Sequence, residues 1–264
     1  PWIRVFGTAG WIVAGLIIGK YSLEKTATTF QIAAGASVLL GLFSLALPNT
    51  PPKGKESQAP GTEAFVLFRD KPYLIFFVAA ILVCIPLSFY YGFANNFLVE
   101  LGMKNSAAKM TLGQFSEGLF ILAIPFLFNR IGVKNMLLMG MTAWILRYIC
   151  FAYGNLGAGT WMLYAGIVLH GVCYDFFFVT GYMYTEKKAG QKIKNAAQQL
   201  FTFATYGMGM FIGTWFSGYI DDVYATPAGH DWKGIWLVPA YIAAGVLLYF
   251  ILFFREKKQL TANV

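Results

Sequence analysis

The sequence predicts an all-α polytopic membrane protein, on three observations. First, 58% of the 264 residues are hydrophobic and only 12% are charged, with a mean hydropathy of +0.58, which is more apolar material than one soluble core needs. Second, the apolar residues fall in stretches of roughly 20, the length that crosses a bilayer as a helix. Third, the aromatic share of 18% suits helices that pack in lipid and anchor at its interfaces.

Eight stretches qualify as spans once Gly, Ser and Thr are accepted as packing residues: 2–19, 29–47, 72–98, 111–128, 133–153, 161–185, 196–220 and 232–254. Pro1, not Met, stands directly against the first span, so the chain reads as a fragment and no signal peptide can be read from it. In that span Arg4, Thr8 and Trp11 follow i, i+4, i+7 spacing and share a face. A guanidinium, a hydroxyl and a flat ring can together grip a polar ligand that carries an aromatic base. They fit equally an arginine that snorkels to the interface beside a tryptophan in the headgroup belt.

After the second span comes the longest connection, 48–71, rich in Pro, Gly and Lys and hence solvated and bent. It divides two spans from six. A six-span half behind a long cytoplasmic linker is how the major facilitator superfamily is built. The short loop Asn129-Arg130-Ile131-Gly132-Val133-Lys134 between the fourth and fifth spans resembles a degraded copy of that superfamily's basic loop motif. A tight turn and an orientation signal would use the same residue types.

Charges within a span cost about 2.5–3.5 kcal/mol each on insertion scales, so those present point to a polar path through the membrane. In the fourth span Gln114 and Glu117 are three residues apart on one face. A protonatable carboxylate beside an amide can exchange a proton and hydrogen-bond a substrate; the alternative is a helix–helix hydrogen bond that only holds the bundle together. The fifth span carries Arg147, a partner for some carboxylate that spacing does not identify. In the sixth, His170 and Tyr174 share a face, whereas Asp175 is rotated about 100° from Tyr174. Asp175 is therefore expected either in the cavity wall or against a neighbouring helix, and His170 either at the site or in packing. A buried lone carboxylate must be protonated or partnered.

Other signals are weaker. Asp221-Asp222 with His230-Asp231 resembles a loose metal cluster, but there is only one acidic pair and it falls in a loop, so a solvated turn is preferred and no metal is assigned. Cys84, Cys150 and Cys173 lie in spans without zinc or redox spacing. Gly209 and Gly213, near Gly218, suit close helix approach.

The basic residues orient the chain. Thirteen of the 20 Lys and Arg residues fall in one set of connections and the tail, and five in the opposite set. Both ends are thus expected to be cytoplasmic. The net charge of +8 is mostly this orientation signal, and its scatter over several loops argues against a nucleic-acid partner.

Five pieces of sequence, in order along nearly the whole chain, resemble the nucleoside–proton symporter family of the major facilitator superfamily. They are Arg4-Val5-Phe6-Gly7-Thr8-Ala9-Gly10-Trp11, Ala64-Phe65-Val66-Leu67-Phe68, Gln114-Phe115-Ser116-Glu117, Tyr174-Asp175-Phe176-Phe177, and Asp231-Trp232 with Ile235-Trp236-Leu237-Val238. The resemblance implies that the eight spans are the fifth to twelfth helices of a twelve-helix transporter, with four spans expected before Pro1. It implies a nucleoside in a central cavity, entering with protons as the coupling ion and with no other cofactor. Arg4, Thr8, Trp11, Gln114, Glu117 and Tyr174 would contact the substrate, and Glu117 and Asp175 would couple protons. At Ser88 and Tyr91 the family's better-known members place amides, and His170 replaces a tyrosine; these three are assigned to the same site, and the resemblance does not fix which nucleosides are preferred.

The sequence reading is therefore a bacterial-type inner-membrane importer of nucleosides, not an enzyme, working by alternating access. Residues 1–48 would be the last two helices of the N-terminal half, 49–71 a cytoplasmic linker, 72–254 the six-helix C-terminal half and 255–264 a cytoplasmic tail. Its partners would be the nucleoside, the bilayer and the missing N-terminal helices. The alternatives are a sugar–proton symporter of the same fold and, more remotely, a polytopic enzyme using Asp221 and Asp222 with a metal.

Overall fold

A computed structural model describes residues 2–49 and 61–255, with side chains from Phe6 onward. Its helices are α1 (Trp2–Lys20), α2 (Thr28–Leu45), α3 (Lys71–Glu100), α4 (Ser106–Ile131), α5 (Val133–Tyr153), α6 (Thr160–Tyr174), α7 (Thr180–Thr202), α8 (Met210–Val223) and α9 (Trp232–Phe253). Single π-helical segments, Asp175–Val179 and Phe203–Gly209, join α6 to α7 and α7 to α8. Among the described residues six helical runs are long and apolar enough to cross a membrane, and Phe6–Lys20 of α1 is apolar as well.

One of those runs, Thr160–Val223, is 64 residues long. Gly190 breaks it with φ 63° and ψ −176°, a backbone that favours glycine because a side chain there is strained. The two spans expected at 161–185 and 196–220 thus belong to two helices that meet at Gly190, inside the connection expected between them. The Lys-rich residues on either side of Gly190 are helical because Glu, Lys, Gln and Ala are good helix formers. For the same reason α4 starts at Ser106, ahead of the apolar boundary at 111. Part of the expected linker also carries structure: Thr62–Arg69 forms a 3₁₀ turn that buries Ala64 and Leu67. The remainder of that linker, 50–60, and the tail after Arg255 lie outside the described residues.

In lipid no hydrophobic effect draws helices together, so packing and small residues decide the contacts. The centre is α5, which packs on α6 and α9, while α3 packs on α8 and α9 and α4 on α1 and α6. Trp144, Tyr148, Phe151 and Trp236 are fully or almost fully buried there. Tyr148 donates its hydroxyl hydrogen to the carbonyl of Pro86 inside α3, tying α5 to α3. Asp231 caps α9 by accepting from the Gly234 amide at 3.2 Å. Helix α2 buries none of its residues, and large apolar side chains cover the outside of the bundle, as expected where lipid is the solvent.

Candidate functional site

Two glycines bring α4 and α6 into close contact. A Cβ on Gly171 would stand 2.5 Å from both the Glu117 amide nitrogen and the Ser116 hydroxyl, and one on Gly113 would stand 3.1 Å from the His170 Cβ. The absence of those methyls sets Glu117 beside His170, with Glu117 Oε2 3.6 Å from His170 Nε2. On the other side of α4, Gly15 of α1 sits where a Cβ would meet Thr111 at 2.6 Å, so α1 closes against the same helix.

Between these walls lies a cavity of ≈ 430 Å³, within the range of roughly 300–1,000 Å³ of small-molecule sites. Helix α1 contributes Thr8 and Trp11, α3 Tyr90, Tyr91 and Asn95, α4 Thr111, Gln114 and Glu117, and α6 His170 and Tyr174. Trp11 is 67% exposed, so its ring is available at the rim. The wall behind is polar and almost closed to solvent. Arg147 of α5, 0% exposed, donates from Nη1 to His170 Nδ1 at 3.1 Å. Its guanidinium lies over the Tyr90 ring, 3.3 Å from the centroid, a cation–π contact that offsets part of its desolvation. The Tyr90 and His170 rings are stacked with centroids 5.1 Å apart. Tyr174 shares a hydrogen bond of 2.5 Å with Tyr206, which ties α6 to the π-helical segment ahead of α8.

Of the residues the sequence assigns to the site, Thr8, Trp11, Tyr91, Gln114, Glu117, His170 and Tyr174 come together on this cavity. The side chain of Arg4 lies outside the described residues. Ser88 is turned elsewhere: its hydroxyl donates to the Ile85 carbonyl at 2.7 Å and faces α8, where a Cβ on Gly213 would meet it at 2.7 Å. Asp175 is buried at the start of the first π-helical segment and stands outside the cavity lining. Sequence reasoning missed Tyr90, Thr111 and Asn95 as lining and Arg147 as the partner of His170. Tyr90 and Asn95 bracket Tyr91, and helical spacing from Tyr91 to Asn95 was a usable signal for the latter.

Away from the cavity, His230 of the short hairpin Ala225–Thr226/Gly229–His230 bridges two acids. Its backbone amide donates to Glu100 Oε1 at 2.8 Å, its Nδ1 lies 2.9 Å from Glu100 Oε2, and its Nε2 lies 3.8 Å from Asp221. The bond to Glu100 raises the His230 pKa above its usual value despite slight burial. Partial desolvation of Glu100 opposes ionisation, but the bonds from His230 outweigh it and hold its carboxyl low. Asp221, of the supposed metal cluster, is thus partnered with the histidine. On α7, Glu186 takes Lys194 and Gln198, and Lys188 reaches Asp70 at 2.7 Å.

A family model described as nucleoside H+ symporter matches residues 1–259. The chain is 42% identical over 99% of its length to the putative nucleoside transporter YegT of Escherichia coli K12, covering 66% of that protein. It is 32% identical over 97% of its length to the nucleoside permease NupG of the same organism, covering 65%. The chain therefore spans just under two thirds of the length of these relatives. A crystal structure of the nucleoside transporter NupG superposes with a TM-score of 0.84 at 33% identity, covering 97% of this chain and 67% of that one, and a mutant form gives 0.87 at 32%.

Proposed function

This chain belongs to the nucleoside H+ symporter family, a family of membrane transporters with the all-α fold of the major facilitator superfamily, and on that premise we propose that the protein imports nucleosides together with protons. The observation that carries this reading is the protonatable carboxylate of Glu117, placed halfway along a membrane-crossing helix, α4, on the wall of an aromatic-rich cavity that Glu24 also lines. A flat base suits the Trp11, Tyr91 and Tyr174 rings, and hydroxyls and amides of the substrate suit Thr8, Gln114 and Glu117. Arg4, one turn before Thr8, keeps its assignment as a substrate contact.

An ionised carboxylate in a dry site is costly unless paired. Protonation of Glu117 removes the charge and readies the site for the nucleoside; coupling then requires that the half-loaded forms reorient slowly, while the fully loaded carrier crosses and the carrier emptied of both proton and nucleoside returns. One charge moved through 100 mV is worth about 2.3 kcal/mol, enough to accumulate a co-transported nucleoside roughly fiftyfold. Asp175 is the second carboxylate assigned to coupling, acting from the π-helical segment behind the cavity. The same reading places the protein in the inner membrane, with residues 49–71 and 255–264 cytoplasmic and residues 72–254 one rocking half against the helices that include α1 and α2.

Uptake of labelled uridine by cells expressing the protein tests this. Uptake should rise above the background, be competed by adenosine and not by a disaccharide, and collapse with a protonophore. Competition by the sugar alone would assign the site to the sugar symporters, and dependence on an added divalent metal would return the enzyme reading.

A further inference from the structure

The polar wall behind the cavity has a directionality set by its innermost member. Arginine carries five N–H donors and no acceptor. Its Nη1 lies 3.1 Å from His170 Nδ1, so that nitrogen must offer a lone pair. A proton on Nδ1 would face an N–H with an N–H, beside a guanidinium that is itself cationic. The ring's single proton is therefore on Nε2, the atom 3.6 Å from Glu117 Oε2. The carboxylate requires the same arrangement, because a lone pair on Nε2 would oppose its own. Arginine on one side and carboxylate on the other specify one tautomer.

The imidazole has little freedom to depart from it. His170 is 2% exposed, its ring stacks on Tyr90 and tilts against Tyr174 with centroids 5.8 Å apart, and its Cβ fills the space left by Gly113. Arg147, which holds it, is itself fixed over Tyr90. A buried cation also needs an anion, and this chain of contacts connects it through the ring to Glu117.

We infer that Arg147 and His170 form a positioning relay: Arg147, which does not line the cavity, locks His170 as the Nε2–H tautomer, and His170 donates that hydrogen toward Glu117 and aims its carboxylate into the cavity. Arg147 thereby acts on substrate affinity through two intermediaries. The relay rests on the proposed function only for its consequence in nucleoside binding; the tautomer itself does not depend on what the cavity holds.

Nitrogen NMR of protein carrying isotopically labelled histidine tests the lock, with the His170 signals identified as those lost in His170→Gln. The expected spectrum has a protonated Nε2 and an unprotonated Nδ1, and in Arg147→Met the tautomers become mixed; a protonated Nδ1 in the parent protein overturns the proposal. Uridine binding per folded molecule tests the consequence. Arg147→Met and His170→Phe should weaken it by about tenfold, whereas His170→Gln, whose carbonyl accepts from Arg147 while its amide donates to Glu117, should stay within about threefold. Binding kept in His170→Phe and lost in His170→Gln would show that ring packing, not the polar contacts to Arg147 and Glu117, matters, and would overturn the relay. Arg147→Lys, which keeps the charge and a donor, serves if Arg147→Met does not fold, and should weaken binding less than His170→Phe. If the parent protein binds no uridine, the functional proposal fails, and the parent spectrum still decides the lock.

Discussion

Gly171 lies directly against the backbone of Glu117: a Cβ there would stand 2.5 Å from the Glu117 amide nitrogen. Backbone cannot yield as a side-chain tip can, so the carboxylate at the cavity wall is positioned by an absent methyl on the facing helix. Gly171→Ala must separate α4 from α6. We expect a destabilisation of about 1–3 kcal/mol together with weaker uridine binding. Gly245→Ala, at a position with nothing within 4 Å, should leave binding unchanged and cause no destabilisation, since alanine is the better helix former. Thermal unfolding and binding in detergent measure both, and an unaltered Gly171→Ala protein would contradict the contact.

Trp11 supplies the most accessible ring at the cavity. Base–aromatic stacking is worth roughly 1–3 kcal/mol where measured on single strands. Trp11→Ala should then weaken nucleoside binding by about tenfold to a hundredfold, and Trp11→Phe by much less. If Trp11 instead only anchors the helix, Trp11→Ala lowers the yield of folded protein while the affinity of what remains is normal.

The bridge from His230 to Glu100 makes stability depend on pH at one end of the bundle. The folded pKa of His230 is raised above its usual 6.5, so its contribution is complete below that value and is lost as pH rises through the raised one. The folded pKa of Glu100 is lowered from its usual 4.5, so its contribution is present above that value and is lost as pH falls through the lowered one. The difference in melting temperature between the parent and Glu100→Gln should be largest between about pH 5 and pH 6 and shrink on both sides. Its size should correspond to about 0.2–1 kcal/mol, since both side chains are partly exposed. A difference that grows toward alkaline pH would contradict the pairing.

Orientation rests on the basic bias of the loops. In a background without the three native cysteines, a cysteine at Lys192 should be protected from an impermeant thiol reagent in intact cells, and one at Lys104 should label. The reverse pattern would invert the protein in the membrane.

Much of this architecture is legible in the chain because lipid imposes a simple rule: about 20 apolar residues make a span, and a charge inside one needs a reason. Gln114 with Glu117 and Thr8 with Trp11 could be paired by eye because helical spacing stacks residues of one helix. The relation of Arg147 to His170 could not, since it joins two helices and depends on how α5 and α6 cross. Nor could the direction of Ser88, which follows from the space at Gly213 on a helix far along the chain, or the place of Asp175, which sits in a π-helical segment that breaks the regular 100° step. The break at Gly190 falls inside the connection read between 185 and 196; what the polar residues there concealed is that helix runs up to it on both sides, because they are good helix formers.

The central claim is that a proton travels with the nucleoside and that Glu117 carries the coupling. Proton influx measured with an internal pH indicator, in proteoliposomes given uridine without an imposed gradient, tests it most directly. The parent protein should acidify the lumen on uridine addition. Glu117→Gln, which keeps shape and hydrogen-bonding capacity but cannot ionise, should lose that acidification while still exchanging labelled for unlabelled uridine. Uridine entry without acidification in the parent, or acidification undiminished in Glu117→Gln, would contradict the account.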